Sequence, residues 1–203
     1  MSKKAGESRV PKESYDIYAP PYFGGRWLGS TIASDPAKLV GRVLRTSLYA
    51  LTDDFSKQYL LLNFRIINVS GKRCETVFYG HQYGREFLRS LVKRGTNKID
   101  MIFDVTTADG FVMRLTSIAF TVSKISLKKR RAIRALMKKI LTDTASKLTH
   151  DQLAQEMVLG KTASDIYNEI KKIVLPRHVG IVKSKILKLG DLSRALVVEA
   201  QLG

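Results

Sequence analysis

Two strand-like segments around Asp109–Gly110 constrain the fold more than any other feature of the chain. Residues 99–122, IDMIFDVTTADGFVMRLTSIAFTV, carry apolar side chains on both faces of a predicted hairpin. Asp-Gly favours a two-residue type I′ turn, whose twist matches that of an antiparallel pair. With that turn, Ile99 faces Phe120 across the two strands. Apolar residues on both faces predict a sheet that is curled or covered on both sides.

Further strands are predicted upstream of this hairpin. Residues 40–51 and 58–69 are strand-like and are separated by the turn-forming sequence TDDFSK. Ser70–Gly71 predicts a second turn, and residues 74–80 form its return strand. Apolar side chains share one face of the second strand at a period of two residues, namely Leu60, Leu62, Phe64 and Ile66.

Helices are predicted around and after these strands. Residues 83–95 form a short amphipathic helix that Gly95 would end, and residues 126–148 form a long one. Thr149 and Gln152 predict a capping box for the next helix, which Gly160 would close.

The C-terminal part contains three more predicted elements. A helix runs from about Ser164 to Val174 and stops before Pro176. Residues 177–189 resemble a basic edge strand, and a last helix is expected at 191–200. Together the patterns predict an α+β fold.

The N-terminal residues differ in composition from the rest. Residues 1–26 scatter basic and aromatic side chains around two adjacent prolines, and we interpret them as an extended arm. The arm either docks on its own domain or threads along RNA through aromatic contacts. Residues 27–203 are expected to form a single domain with a real hydrophobic core.

The chain carries a large excess of positive charge. It has 35 Lys and Arg against 18 Asp and Glu, a net charge of +17 over 203 residues. Solubility alone needs a net charge of only about 2 to 8, so a polyanionic partner, most often nucleic acid, is indicated. A membrane surface would need a basic amphipathic helix or a lipid site, and a merely soluble basic protein is the remaining alternative.

The predicted helix at 126–148 carries the strongest basic cluster. Residues 124–142 contain eight basic side chains and no acid. A charge run normally marks a solvated helix face, but a solvated face usually mixes both signs. Cations in the first turns also oppose the helix dipole, by about 0.3–1 kcal/mol each. We therefore interpret this helix as a phosphate-binding surface.

A second all-basic stretch covers residues 171–188. On a strand, Lys183 and Lys185 point the same way and could follow a nucleic-acid backbone. An edge strand that uses lysine to prevent aggregation is the alternative, and the two interpretations are compatible. The residues predicted to contact RNA are Lys3, Lys4, Lys12, Arg26, Arg42, Lys72, Arg73, Lys128, Lys129, Arg130, Arg131, Arg134, Lys138, Lys139, Arg177, Lys183, Lys185 and Lys188.

The sequence contains no catalytic, cofactor or metal signature. Phosphate-loop, dinucleotide and zinc-protease motifs are missing, and the three histidines lack ligand-like spacing. Asp100 and Asp104 would share a strand face about 13 Å apart, whereas paired carboxylate chemistry needs about 5–9.5 Å. Cys74, the only cysteine, is interpreted as a small buried hydrophobe in a reducing compartment. No membrane span, secretory signal or cofactor is expected.

Four blocks of the sequence resemble one protein family. They occur in the family's order with similar spacing and cover most of residues 30–200. On these blocks the chain resembles the archaeal and eukaryotic small-subunit ribosomal protein family S3Ae, also termed eS1, in its shorter archaeal form. The blocks are ASDPAKLVGRVLRTSLYALTDD (33–54), INVSGKRCETVFYGHQYGREFLRSLVKR (67–94), DVTTADGFVMRLTSIAFT (104–121) and PRHVGIVKSKILK (176–188).

The resemblance implies a fold and a place of action. It implies a curled, barrel-like, mostly antiparallel β-core flanked by helices. It also implies a non-enzymatic, ribosome-bound cytoplasmic protein on the small-subunit platform, near the messenger exit side. The implied partners are small-subunit rRNA near its 3′ end, neighbouring platform proteins and nearby mRNA, without a membrane and without homo-oligomers.

Two other functions would use some of the same residues. A free, non-specific DNA-binding protein of the chromatin type would use the same charges, but no helix-turn-helix, zinc finger or basic zipper is visible. An RNA-processing enzyme would need a convergent acid, base or metal site, and the sequence offers none.

Overall fold

A computed structural model describes residues 11–190 of the chain. Two of the predicted RNA contacts, Lys3 and Lys4, and the predicted helix at 191–200 lie outside the described residues. The strands are β1 (Glu13–Tyr18), β2 (Trp27–Ala33), β3 (Val43–Ser47), β4 (Leu60–Ser70), β5 (Arg73–Tyr83), β6 (Lys98–Thr106), β7 (Val112–Thr121) and β8 (Pro176–Lys188). The α-helices are α1 (Tyr49–Thr52), α2 (Arg85–Leu91), α3 (Leu127–Lys147), α4 (His150–Leu159) and α5 (Lys161–Lys171).

The eight strands form one mixed sheet, so the predicted α+β class is confirmed. The main path runs β2-β1-β5-β8-β7-β6, while β3 pairs with β4 and β4 with β5. The sheet is open, because β2 and β6 end the path without pairing to each other. The β1–β5 pair is parallel, whereas β1–β2, β5–β8, β6–β7 and β7–β8 are antiparallel. None of the helices in residues 11–190 is long and apolar enough to cross a membrane.

The described residues group by their contacts into two compact units. The first contains the described part of Met1–Leu44 together with Phe64–Val77. The second contains Arg45–Asn63 and the described residues from Phe78 onward. Strands β4 and β5 each contribute residues to both units.

The first unit has its own small core around β1. Tyr15 and Ile17 are buried there with Leu39, Ile66 and Cys74. Strand β1 pairs with β2 over its whole length and with β5 at Asp16 and Ile17. Cys74 is fully buried, as expected for a small packing residue, and burial raises the pKa of its thiol.

The β6–β7 hairpin exists, but its predicted register is wrong by one residue. Ile99 faces Ala119 and Lys98 faces Phe120. The turn has five residues, 107–111, instead of two, and the Thr107 N–H closes it by donating to the Phe111 carbonyl at 2.9 Å. Contacts with α4 hold this longer turn, because the Asp109 carboxylate accepts from the His150 backbone N–H at 2.9 Å.

The predicted strands at 40–51 and 58–69 have different outcomes. The first ends at Ser47 as β3, and the chain continues into the short helix α1, so that prediction was too long. The second is confirmed as β4, in which alternate positions from Leu60 to Ile66 are buried.

The long helix and its successor are confirmed, whereas the two shorter helices differ from prediction. Helix α4 has the expected capping box at Thr149, and Gly160 closes it in the left-handed region with φ +91°. Because Gly160 turns the chain within one residue, α5 begins at Lys161, three residues before the predicted Ser164. Helix α2 ends at Leu91, well before Gly95.

Strand β8 is an interior strand, so the predicted edge position is wrong. It pairs with β7 along its length and with β5 through Gln82 and Lys183. The β5–β8 pair comes very close at Gly80, where an added Cβ would lie 2.2 Å from the Ser184 carbonyl oxygen. Only glycine fits this approach, and its φ of +148° excludes most other residues as well.

Candidate nucleic-acid interface

Helix α3 packs one apolar stripe on the sheet of the second unit. Ile133, Met137 and Leu141 on this stripe are fully buried. The Ser117 hydroxyl of β7 donates to the Met137 sulfur at 3.8 Å, which identifies the sheet face that the helix covers. The 3.6-residue period of the sequence therefore fixes which side of α3 faces solvent.

The solvent side of α3 is basic and almost free of acids. Six of its seven predicted RNA contacts are exposed, and only Arg130 is half-buried. Arg134 donates from Nε to the Asp100 carbonyl at 3.1 Å and lies 4.0 Å from the Asp100 carboxylate. Within residues 11–190 none of the other six has a carboxylate within salt-bridge distance: Lys128, Lys129, Arg130, Arg131, Lys138 and Lys139.

The first turn of α3 concentrates this charge where a helix tolerates it least. The Ser126 hydroxyl accepts from the Lys129 N–H, and the first turn has no acidic residue. The Arg130 Nε atom is enclosed without a hydrogen-bond partner in the described part of the protein. The first turn of α3 thus combines the N-terminal end of a helix dipole with cationic side chains, which suits an oxyanion ligand.

The lysines of β8 lie on a different surface from α3. In the β7–β8 register Lys183 faces Thr116 and Lys185 faces Arg114. These β7 positions alternate with Ser117, which contacts α3, so the two lysines project from the opposite sheet face. The structure therefore separates the two basic segments into two surfaces of the second unit.

Arg114 beside these lysines belongs to an ion pair. Its Nε and Nη2 donate to the two Asp104 carboxylate oxygens at 2.8 and 3.0 Å. This hydrogen bonding lowers the pKa of Asp104 and raises that of Arg114. The Arg114–Asp104 pair has no net charge. The positive charge of this sheet face therefore comes from Lys183 and Lys185.

Arg177 lines a polar pocket near the start of β8. The pocket has a volume of about 380 Å³ and opens between α5 and the strand. Ser164, Tyr167 and Asn168 of α5 contribute hydroxyl and amide groups to its wall. Arg177 was predicted from charge alone, whereas its three polar neighbours were missed because no pattern links α5 to β8 in the sequence.

The predicted contacts of the first unit fall into two kinds. Lys12, Arg26 and Lys72 are exposed, Lys72 at the tip of the β4–β5 turn. Arg42 instead donates to the Lys38 and Ile32 carbonyls and to the Thr31 hydroxyl at 3.1–3.3 Å. Arg73 lies 4.5 Å from the centre of the Tyr18 ring, a cation–π contact. Arg42 and Arg73 therefore also have structural roles.

The two acids of β6 each lie beside a basic side chain. Asp100 faces Ile118 and Asp104 faces Arg114, so the two acids share a face as predicted. Each has a basic neighbour, Lys98 at 3.5 Å for Asp100 and Arg114 for Asp104.

The three histidines are buried or half-buried. His81 and His150 are buried, and burial lowers the pKa of His178. In the described range no group of three or more His, Cys, Asp or Glu side chains is placed to hold a metal ion.

Comparison with known proteins gives a consistent set of similarities. A sequence profile described as the ribosomal S3Ae family matches residues 1–190. The small ribosomal subunit protein eS1 of Desulfurococcus amylolyticus is 42% identical over 176 residues, which cover 87% of this chain and 83% of that protein. The protein of the same name from Saccharolobus islandicus strain L.S.2.15 is 42% identical over 194 residues, 94% of this chain and 93% of the relative.

A third relative, the eS1 protein of Archaeoglobus fulgidus, is 42% identical over 194 residues, with 92% of each chain covered. These matches confirm the resemblance that the four sequence blocks indicate.

Proposed function

The chain belongs to the ribosomal S3Ae family, and from this premise we propose that it is a structural, non-catalytic protein of the small ribosomal subunit that binds rRNA through backbone phosphates. The observation that carries the proposal is the solvent side of α3, where five exposed cations have no acidic partner in the described residues. Such a surface is unfavourable in a free protein and becomes favourable when phosphates replace the condensed counterions.

The proposed location within the subunit is what the resemblance to the family implies. We propose contact with small-subunit rRNA near its 3′ end, on the platform near the messenger exit side, beside neighbouring platform proteins and mRNA. The protein acts there as a single copy in ribosome-bound form in the cytoplasm. The arm 1–26 and the domain 27–203 are proposed to bind together, with Lys3 and Lys4 as phosphate contacts in the arm.

The proposed phosphate contacts differ in their freedom to bind. Lys183 and Lys185 of β8 and five exposed cations of α3 have no carboxylate within salt-bridge distance in the described residues and are free to pair with phosphates. The five are Lys128, Lys129, Arg131, Lys138 and Lys139, whereas Arg134 already contacts Asp100. Arg177 and its polar pocket are proposed to hold one phosphate, because a guanidinium with nearby hydroxyl and amide donors suits an oxyanion.

Sedimentation tests the proposed place of action. We expect the tagged chain, expressed in an archaeal host, to sediment with small subunits and to remain bound at moderate salt. Free protein in the cytosol beside small subunits that lack it would contradict the proposal. Equal affinity for duplex DNA and rRNA fragments at the same salt would favour the chromatin-type alternative.

A charge variant tests the RNA-binding surface directly. Changing Lys128, Lys129, Arg130 and Arg131 to Gln is expected to weaken rRNA binding. If all four contact phosphates, the slope of log affinity against log salt falls by about 2.8–3.6, at roughly 0.7–0.9 per phosphate. Filter binding from about 50 to 300 mM KCl measures this slope. An unchanged slope would mean that this part of α3 is merely a solvated face.

A further inference from the structure

A groove opens between α2 and the sheet face opposite α3. It has a volume of about 250 Å³. Ile118 and Phe120 of β7 form its floor and are almost fully buried, and Leu88 of α2 and Val182 of β8 pack against them. The groove is therefore an open extension of a small hydrophobic cluster in the second unit.

Two exposed apolar side chains extend the groove onto the surface. Val92 lines it just after α2 and is 60% exposed. Ile102 of β6 faces Thr116, another lining residue, and is 66% exposed. Scattered exposed apolar residues are ordinary, but a groove continuous with exposed aliphatic side chains is typical of a protein-binding surface.

The rim of the groove has an excess of positive charge. Arg89 and Lys98 line it, and Lys183 faces the lining residue Thr116 in the β7–β8 register. Asp100 is the acid at the rim, and it already has Lys98 at 3.5 Å and Arg134 at 4.0 Å. In the part of the chain that the structure describes, neither Arg89 nor Lys183 has a carboxylate within salt-bridge distance. An acidic ligand would complement this rim.

The apolar floor decides between a protein and a nucleic acid as the occupant. A nucleobase in the groove would place its ring nitrogen and oxygen atoms against hydrocarbon, where unpaired polar groups are costly. A large aliphatic or aromatic side chain leaves no polar atom unpaired there. We propose that this groove, the α2 groove, binds an acidic amphipathic segment of a partner protein, with one large apolar side chain in the groove and Asp or Glu beside Arg89.

This inference is separate from RNA binding through α3, because the α2 groove lies on the other face of the sheet. The test uses the full-length chain with labelled Ile, Leu and Val methyl groups and an eight-residue acidic peptide with Leu-Phe at its centre. We expect the peptide to shift the methyl signals of Leu88, Ile118 and Val182. The same peptide with Ala-Ala at its centre controls for attraction to the net charge of +17.

Single substitutions locate the binding. Val92→Glu and Arg89→Glu are each expected to weaken binding of the Leu-Phe peptide at least about tenfold, the loss in affinity typical of a central interface residue. Leu159→Glu on α4 is the matched control, since Leu159 is 64% exposed and lies away from the groove lining. A thermal melt checks that each variant is folded.

Three results would overturn the proposal. The first is an absence of groove shifts with the Leu-Phe peptide. The second is equal shifts with the Ala-Ala peptide, and the third is stronger shifts at the same methyls with an eight-nucleotide uridine RNA. The variant in which Lys128, Lys129, Arg130 and Arg131 are changed to Gln must still bind the peptide. Loss of RNA binding and loss of peptide binding are therefore distinguishable.

Discussion

His81 is a fully buried residue whose side chain links two strands. Its Nε2–H donates to the Ile181 carbonyl at 2.8 Å, and its Nδ1 accepts from the Ser184 hydroxyl at 2.8 Å. The carbonyl can only accept, so Nε2 carries a proton. Burial lowers the pKa of His81 to about 4. A neutral imidazole therefore ties β5 to β8.

This pKa predicts how stability depends on pH. The unfolded His81 titrates near 6.5 and the folded one near 4, so the unfolded chain binds more protons between these values. The stability that His81 contributes is present above about pH 6.5 and is lost as pH falls toward 4. We expect the free energy of unfolding to drop by roughly 2–3 kcal/mol over this range on account of His81.

Urea unfolding at several pH values measures the effect, with His81→Asn as the control because it removes the titrating group. The variant is expected to be less stable at pH 7.5 but to have a flatter pH dependence. Parallel curves for the two proteins would contradict the assignment.

The histidine also marks what residue-level sequence reasoning could and could not predict. A surface or packing role for each histidine was expected from the poor ligand spacing. The Ser184 partner was not predictable, because it lies 103 residues away and no local pattern joins the two.

At the level of the element, α3 has a charge distribution that works against its own stability. Its first turn is basic and carries no acid, although a helix N-terminus favours acids. RNA binding and helix stability therefore make opposite demands on the same residues.

Removing three of these charges is expected to stabilise the free protein. Lys128, Lys129 and Arg131 are exposed, and Gln has nearly the same helix propensity as Lys or Arg. Changing all three to Gln should raise the free energy of unfolding at low salt by about 1 kcal/mol in total. Urea unfolding in about 20 mM salt measures the change. Lys147→Gln in the last turn is the control, and it should lower stability slightly, because a cation there is favourable.

The elements themselves were predictable where one period or one cap determined them. The stripe of α3, the cap of α4 and the buried face of β4 follow from local spacing. The β6–β7 register was not predictable, because the Asp109 carboxylate accepts a hydrogen bond from α4 and does not form a two-residue turn. The interior position of β8 was not predictable either. Its pairing with β5 depends on a close approach at Gly80 and not on the basic sequence of β8 itself.

At the level of the whole molecule, basic charge occupies two surfaces of the second unit. One is the solvent side of α3, and the other is the sheet face that carries Lys183 and Lys185. The sequence indicated both segments and their sign. It could not indicate that they lie on opposite faces, because the face of β8 depends on its register with β7.

Separate surfaces predict additive effects on RNA binding. With a long rRNA fragment, changing Lys183 and Lys185 to Gln should lower the salt slope by about 1.4–1.8, and the four changes at 128–131 by about 2.8–3.6. The combined variant should lower it by about 4.2–5.4, because distant sites without shared partners act independently. Filter binding of the three variants in parallel measures this. A combined effect no larger than the α3 effect would mean that RNA contacts one surface alone.

The interior position of β8 has a consequence for how the protein is made. Lys188, at the end of β8, lies 67 positions after Thr121, at the end of β7. During synthesis at about 5–20 residues per second, β7 waits roughly 3 to 13 seconds for this neighbour. Until then one side of β7 has unpaired backbone groups, and β5 lacks the strand that His81 joins. The sheet of a nascent chain is therefore completed only after Lys188 has been translated, so a chain truncated before Pro176 cannot finish it.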